Sequence, residues 1–78
     1  MKNELIIWKG RDDDLTSMNG EYTMRVEQMN DVHWWWRVYF KNEILADDWP
    51  VAKTKKRAKK LCIKTMKKHE AKNNNPHA

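Results

Sequence analysis

The sequence predicts an α+β fold: a three- or four-stranded antiparallel sheet with one C-terminal helix packed on one face. Two patterns and one imbalance carry that reading. Apolar residues alternate with polar ones through 21–29 and 33–41, the period of a half-buried strand. From Ala58 onward they recur at spacings of three and four, the period of a helix. Charge divides along the same line: residues 1–52 carry 6 basic and 10 acidic side chains, residues 53–78 carry 10 basic and 1 acidic.

The elements follow in order. Residues 3–9 form a short apolar run with β-branched and aromatic content and read as strand one. Residues 10–20 hold Gly10, three consecutive aspartates and Asn19-Gly20, and read as a turn-rich connection. In 21–29, Tyr22, Met24 and Val26 fall on one face, with Glu21, Thr23, Arg25 and Glu27 on the other. Asn30-Asp31 marks a tight turn. In 33–41, Trp34, Trp36, Val38 and Phe40 form a wholly apolar face that must pack under the helix. The other face carries Trp35, Arg37, Tyr39 and Lys41. Lys41-Asn42-Glu43 is a second turn, because Asn tolerates the left-handed conformation of a short hairpin. Residues 44–49 make a short last strand, ended by Pro50, which cannot donate to a ladder. A helix over 54–70 follows, with Thr54 as N-cap. Its apolar stripe is Leu61, Cys62, Thr65, Met66 and His69, with Ile63 at the margin. Trp8 and Trp49 are expected to close the ends of the core. Residues 1–72 form one small domain and 73–78 a disordered tail.

Size and composition exclude several classes. At 78 residues there is room for one domain with a thin core, burying only about 60–65% of its unfolded surface. A single cysteine, Cys62, rules out an internal disulfide framework. The start MKNELIIWKG has only four apolar residues in a row, so it predicts neither a signal peptide nor a membrane span. The expected location is cytoplasmic, or host cytoplasm if the chain is phage-encoded. One Cys and three His lack zinc spacing, and Asp12-Asp13-Asp14 lacks that of an EF-hand. The aspartates read as solvated loop charge. They could instead mimic phosphates toward a basic partner or pair with the basic helix of a second copy. No metal or cofactor is expected. With no nucleophile–base pair and no Gly-rich phosphate loop, the chain is read as a non-enzyme. Five Trp, two Tyr and one Phe argue against disorder.

The helix carries the strongest functional signal. At 100° per residue, Lys56, Lys67, Lys60, Lys64, Arg57 and Lys68 fall within about 120° of arc opposite the apolar stripe. Lys55 and Lys59 lie along its edges. Like charges at i and i+4 cost an isolated helix roughly 0.2–0.5 kcal/mol per pair, and almost no acid relieves them. A solvated charged face would normally interleave Glu. An anion-binding face accounts for the crowding, and nucleic acid is the usual polyanion.

Thr54-Lys55-Lys56-Arg57-Ala58-Lys59 resembles the Ser-Lys-Lys-x-Ala-Lys start of the last helix in double-stranded-RNA-binding domains. There a three-stranded antiparallel sheet precedes the same helix. The likeness covers residues 20–70 in order of elements and six residues in motif. It implies that Lys55, Lys56 and Lys59 clasp phosphates across an RNA major groove. The family's first helix has no counterpart, so the likeness implies the clasp alone.

The strand face of Trp35, Arg37, Tyr39 and Lys41 alternates aromatic with basic, which suits base stacking with phosphate contact. Against this, the same rings could pair across strands with Arg25 or Thr23, or Trp35 could form a cation–π pair with Arg25 or Arg37. They could also anchor a protein. The reading that follows is a small, largely sequence-independent nucleic-acid binder, RNA ahead of DNA. A sheet-plus-helix DNA binder similar to the arm-binding domains of phage integrases is a variant of it. The rival class is a protein-directed inhibitor or antitoxin. In size, charge and tryptophan content the chain resembles small accessory proteins of large lytic phages that neutralise a host defence enzyme, such as a ribonuclease toxin. A membrane partner is disfavoured, because the stripe lacks bulky inserting residues. A thin core and exposed sheet edges make a homodimer reasonable.

Overall fold

The computed structural model describes residues 6–73. Five strands form one antiparallel meander in chain order: β1 (Lys9–Arg11), β2 (Asp14–Asn19), β3 (Tyr22–Asn30), β4 (His33–Phe40) and β5 (Glu43–Asp47). One helix, α1 (Lys55–Asn73), lies across a single face against β3 and β4. The α+β architecture is the one expected, with five strands rather than three or four.

Two-residue turns join every strand to the next, so the register is tight. Gly20-Glu21 links Asn19 to Tyr22, with Gly20 at φ 64°. Lys41 and Asn42 both sit at positive φ, 51° and 69°, the requirement of a type I′ hairpin. The turn expected at Asn30-Asp31 lies one residue later, at Asp31-Val32. There the Asn30 side chain accepts a hydrogen bond from the Val32 amide at 2.9 Å.

The segment read as a connection, 10–20, contains β2. Leu15 and Ser17 point inward and are buried, while Thr16 and Met18 point outward. The alternation escapes a hydrophobicity count because one inward position is a serine and one outward position a methionine. The first apolar run behaves in the opposite way. Ile6, Ile7 and Trp8 are irregular, and the strand is Lys9–Arg11. Ile6 and Trp8 plug the core from the side instead of alternating along a ladder. Asn3–Leu5, part of the expected strand, lie outside the described residues. The last strand ends at Asp47 rather than Trp49.

The inner sheet face is Leu15, Tyr22, Met24, Val26, Trp34, Trp36 and Val38, as the alternation in β3 and β4 requires, with Phe40 half-buried at its rim. From the helix, Ala58, Leu61, Cys62 and Met66 complete the core, and Thr65 and His69 lie half-buried along the same stripe. Ala58 and Cys62 are fully buried and small, so α1 comes down close over the middle of the sheet. The Cys62 thiol lies 3.8 Å from the carbonyl oxygens of both Arg25 and Arg37, a directly opposed pair on β3 and β4. At the far end, Tyr22 Oη is 2.8 Å from His69 Nδ1, and His69 packs on Phe40 with centroids 4.7 Å apart.

The β5–α1 connection runs back along β4 and is clamped there. The Asp48 amide donates to the Trp36 carbonyl, the Trp36 indole to the Pro50 carbonyl, and the Trp34 amide to the Ala52 carbonyl, each at 2.8 Å. His33 Nε2 meets the Asp48 carboxylate at 3.0 Å. Thr54 then caps the helix as expected: its Oγ1 accepts from the Arg57 amide at 3.1 Å. The helix runs through Asn73, which the sequence had put in the frayed tail; residues 74–78 lie outside the described residues.

Burial pushes the Cys62 thiol up from 9.0 to about 12. Between these values the unfolded chain has lost the proton and the folded chain still holds it, so stability falls as pH rises. Chemical denaturation across pH 8 to 11 should show a steeper decline for the wild type than for Cys62→Ala. Equal slopes would contradict this burial of the thiol.

Candidate nucleic-acid interface

The buried stripe of α1 dictates which side chains face water. Over the outer arc, Lys56, Arg57, Lys60, Lys64, Lys67 and Lys68 are exposed. Among the described residues none of them is in an ion pair, and the helix's first turn contains no acid to offset the exposed backbone amides. From Lys56 to Lys68 the row extends about 18 Å at 1.5 Å per residue. That matches roughly five phosphates of one duplex strand at about 3.4 Å each.

Lys55 and Lys59 sit on the flank instead. Lys55 Nζ lies 5.6 Å from the centroid of Trp34, and Lys59 Nζ 5.4 Å from that of Trp8. Both are half-buried. Of the three lysines singled out by the family likeness, only Lys56 therefore stands on the open arc.

The outer sheet face is organised differently. The ladder sets Thr16, Arg25, Arg37 and Asp47 in one transverse row and Asp14, Glu27 and Trp35 in the next. Arg25 meets Asp14 at 3.3 Å, and Arg37 meets Asp47 at 3.0 Å. Arg37 also donates to the Tyr39 hydroxyl at 3.0 Å and lies 4.6 Å over the Trp35 ring, with Arg25 at 5.9 Å from it. The hydrogen bond to Tyr39 and then the one to Asp47 raise the Arg37 pKa above that of an ordinary guanidinium. The aromatic–basic alternation is thus satisfied inside the fold, by the cation–π pairing that the strand pattern already allowed. Lys41, at the hairpin tip, reaches Glu21 at 3.9 Å. Asp13 and Asp14 are engaged as well, by Arg11 at 3.5 and 4.0 Å. These two are not free loop charge: Asp14 begins β2 and neutralises Arg25.

The helix and the sheet face do not form one site. Trp35, Arg37 and Tyr39 alternate with the residues under α1, so they point away from it. At least a helix diameter, about 10 Å, separates them from the outward lysines. Lys55, Lys56, Arg57, Lys59, Lys60, Lys64 and Lys67 share one element; Trp35, Arg37, Tyr39 and Lys41 belong to the other side.

One candidate was misassigned from sequence. Trp49, expected to close the core, is 78% exposed beside the start of α1. Its position between Asp47-Asp48 and Pro50, after the last strand, was the available signal. Among the described residues no group of three or more His, Cys, Asp or Glu is placed to hold a metal ion, and no helix is long and apolar enough to cross a membrane. Compared with protein-family models, curated proteins and solved structures, the chain finds no match.

Arg37 links three groups at once, with its side chain 27% exposed. Arg37→Ala should lower stability by about 1–2 kcal/mol in thermal or urea unfolding, through the lost cation–π and ion-pair contacts. No change would show that those contacts are incidental.

Proposed function

We propose that the protein binds nucleic acid through the outward lysines of α1, with RNA as the favoured target and little sequence readout. The observation that carries this is the contrast in pairing. Arg11, Arg25 and Arg37 on the strands and Lys41 at the hairpin tip each have a carboxylate at 4.0 Å or less. The helix cations of the open arc have none among the described residues. Such a row raises the local concentration of a polyanion and gains from counterion release. Lysine contacts phosphate as a point charge and carries no base information, hence the weak readout. The Thr54–Lys59 likeness to double-stranded-RNA-binding domains adds RNA to the reading. Five strands rather than three precede this helix. The sheet residues Trp35, Arg37, Tyr39 and Lys41 take no direct part in phosphate contact. A cytoplasmic location suits such a function.

The double variant Lys56→Glu/Lys60→Glu should weaken binding to a labelled RNA by roughly tenfold or more. It should also flatten the plot of log affinity against log salt by about 1.4–1.8 units, the share of two phosphates. Both are read by fluorescence anisotropy at several salt concentrations. Unchanged affinity would sink the proposal.

A second reading, a protein-directed inhibitor of the phage accessory type, draws on the outer sheet row Met18, Thr23, Tyr39 and Ile44. Met18 and Ile44 are exposed apolar side chains at its ends, 76% and 53% accessible, around a tyrosine of the kind that anchors protein contacts. The RNA assay separates the two readings, because a partner bound on that row would not respond to charge reversal on the helix.

A further inference from the structure

Resting on the nucleic-acid reading of α1, we infer that the groove between α1 and the β5–α1 connection takes a single strand, with one base stacked on Trp49. Four observations meet there. The first is the ring itself. Trp34 and Trp36 are buried, Trp8 lies beside Lys59, and Trp35 lies between two arginines. Among the described residues the Trp49 ring makes no ring-stacking and no cation–π contact.

The second is its mounting. Trp49 stands between Asp48 and Pro50, whose backbones are both tied to Trp36 at 2.8 Å. An exposed ring on a clamped segment has little backbone freedom left to lose when a base stacks on it.

The third is the groove's shape. Trp36, Ala46 and Leu61 form its floor, and its volume is about 220 Å³. It continues, through the shared Thr65 and Lys68, into a second cleft of about 290 Å³ that reaches Lys72. From Arg57 to Lys72 the path follows α1 for about 22 Å, the length of a strand laid along it rather than of a compact ligand.

The fourth is charge. Arg57, Lys64 and Lys68 line the lip, with Lys72 beyond, and no carboxylate lines either cleft among the described residues. An aromatic platform beside a cationic track is how proteins hold unpaired nucleic acid without reading its sequence. Inside a duplex each base already has both faces covered by its neighbours, so the Trp49 ring selects for an unpaired strand.

The experiment compares four labelled probes by anisotropy: oligouridylate, oligodeoxyuridylate and an abasic strand, each of about twelve nucleotides, and a blunt-ended duplex of about twelve base pairs, which holds no unpaired base. Trp49→Ala should lose about tenfold to a hundredfold in affinity for the two single strands, the loss of one stacked base. It should stay within about twofold of wild type on the blunt-ended duplex and the abasic strand. Trp49→Phe should recover part of the loss. Binding of either single strand in this pattern supports the groove, and the tighter of the two names its sugar. Unaltered oligouridylate affinity in Trp49→Ala, with binding still lost in Lys56→Glu/Lys60→Glu, would overturn the groove and leave the helix reading standing. Failure of the wild type to bind any probe would overturn both. Because the ring is 78% exposed, the variant should melt with the wild type, which circular dichroism checks.

Discussion

The close seat of α1 on β3 and β4 sets everything else in this molecule. Ala58 and Cys62, both fully buried, leave room for the helix to descend until the Cys62 sulfur is 3.8 Å from two strand carbonyls. With that contact made, helical geometry leaves no choice about the remaining faces. Leu61 and Met66 must enter the core on either side, and Lys56, Lys60, Lys64 and Lys67 must point to water. A chain of this size has few other apolar groups to spend on orienting its helix. The rotation of α1 about its axis therefore rests on two small residues and the tryptophan-rich strand beneath them.

The connection before the helix makes that seat reproducible. His33–Asp48, Trp36–Pro50 and Trp34–Ala52 hold it against β4, and Thr54 satisfies an amide of the first turn. The helix N-terminus is placed by hydrogen bonds to a central strand rather than by a free loop. Its lysines and Trp49 are consequently carried on rigid elements, which lowers the ordering cost of any contact they make.

Charge is segregated across the two layers. On the sheet, arginines lie beside carboxylates and over aromatic rings, where a planar guanidinium serves both. On the helix, lysines stand in a row and none of them is in an ion pair among the described residues. The first arrangement stabilises the fold internally and spends its charge. The second adds like-charge repulsion along α1 and keeps its charge available. The rings of Trp35 and Tyr39 belong to the first arrangement, and the two basic surfaces identified in the sequence lie on opposite sides of the fold.

Much of the fold was legible because burial here follows simple periods. Tyr22, Met24, Val26, Trp34, Trp36 and Val38 alternate without exception, Lys41-Asn42 announces its hairpin, and Thr54 its cap. What failed to show were elements whose inward residues are polar or whose apolar residues do not alternate. Ser17 hid β2, and Ile6 to Trp8 imitated a strand while serving as a side plug. The sequence by itself determined the face of α1 that carries the cations, since one apolar stripe on a helix dictates its opposite. Only the tertiary structure decided which cations remain unpaired and which aromatic ring stays open. Asp14, Asp47 and Asp48 find Arg25, Arg37 and His33 from other elements, and Trp49 stands between two residues hydrogen-bonded to Trp36, far back in the sequence. Pairings of that kind depend on register and on the path of a loop, which no local period encodes.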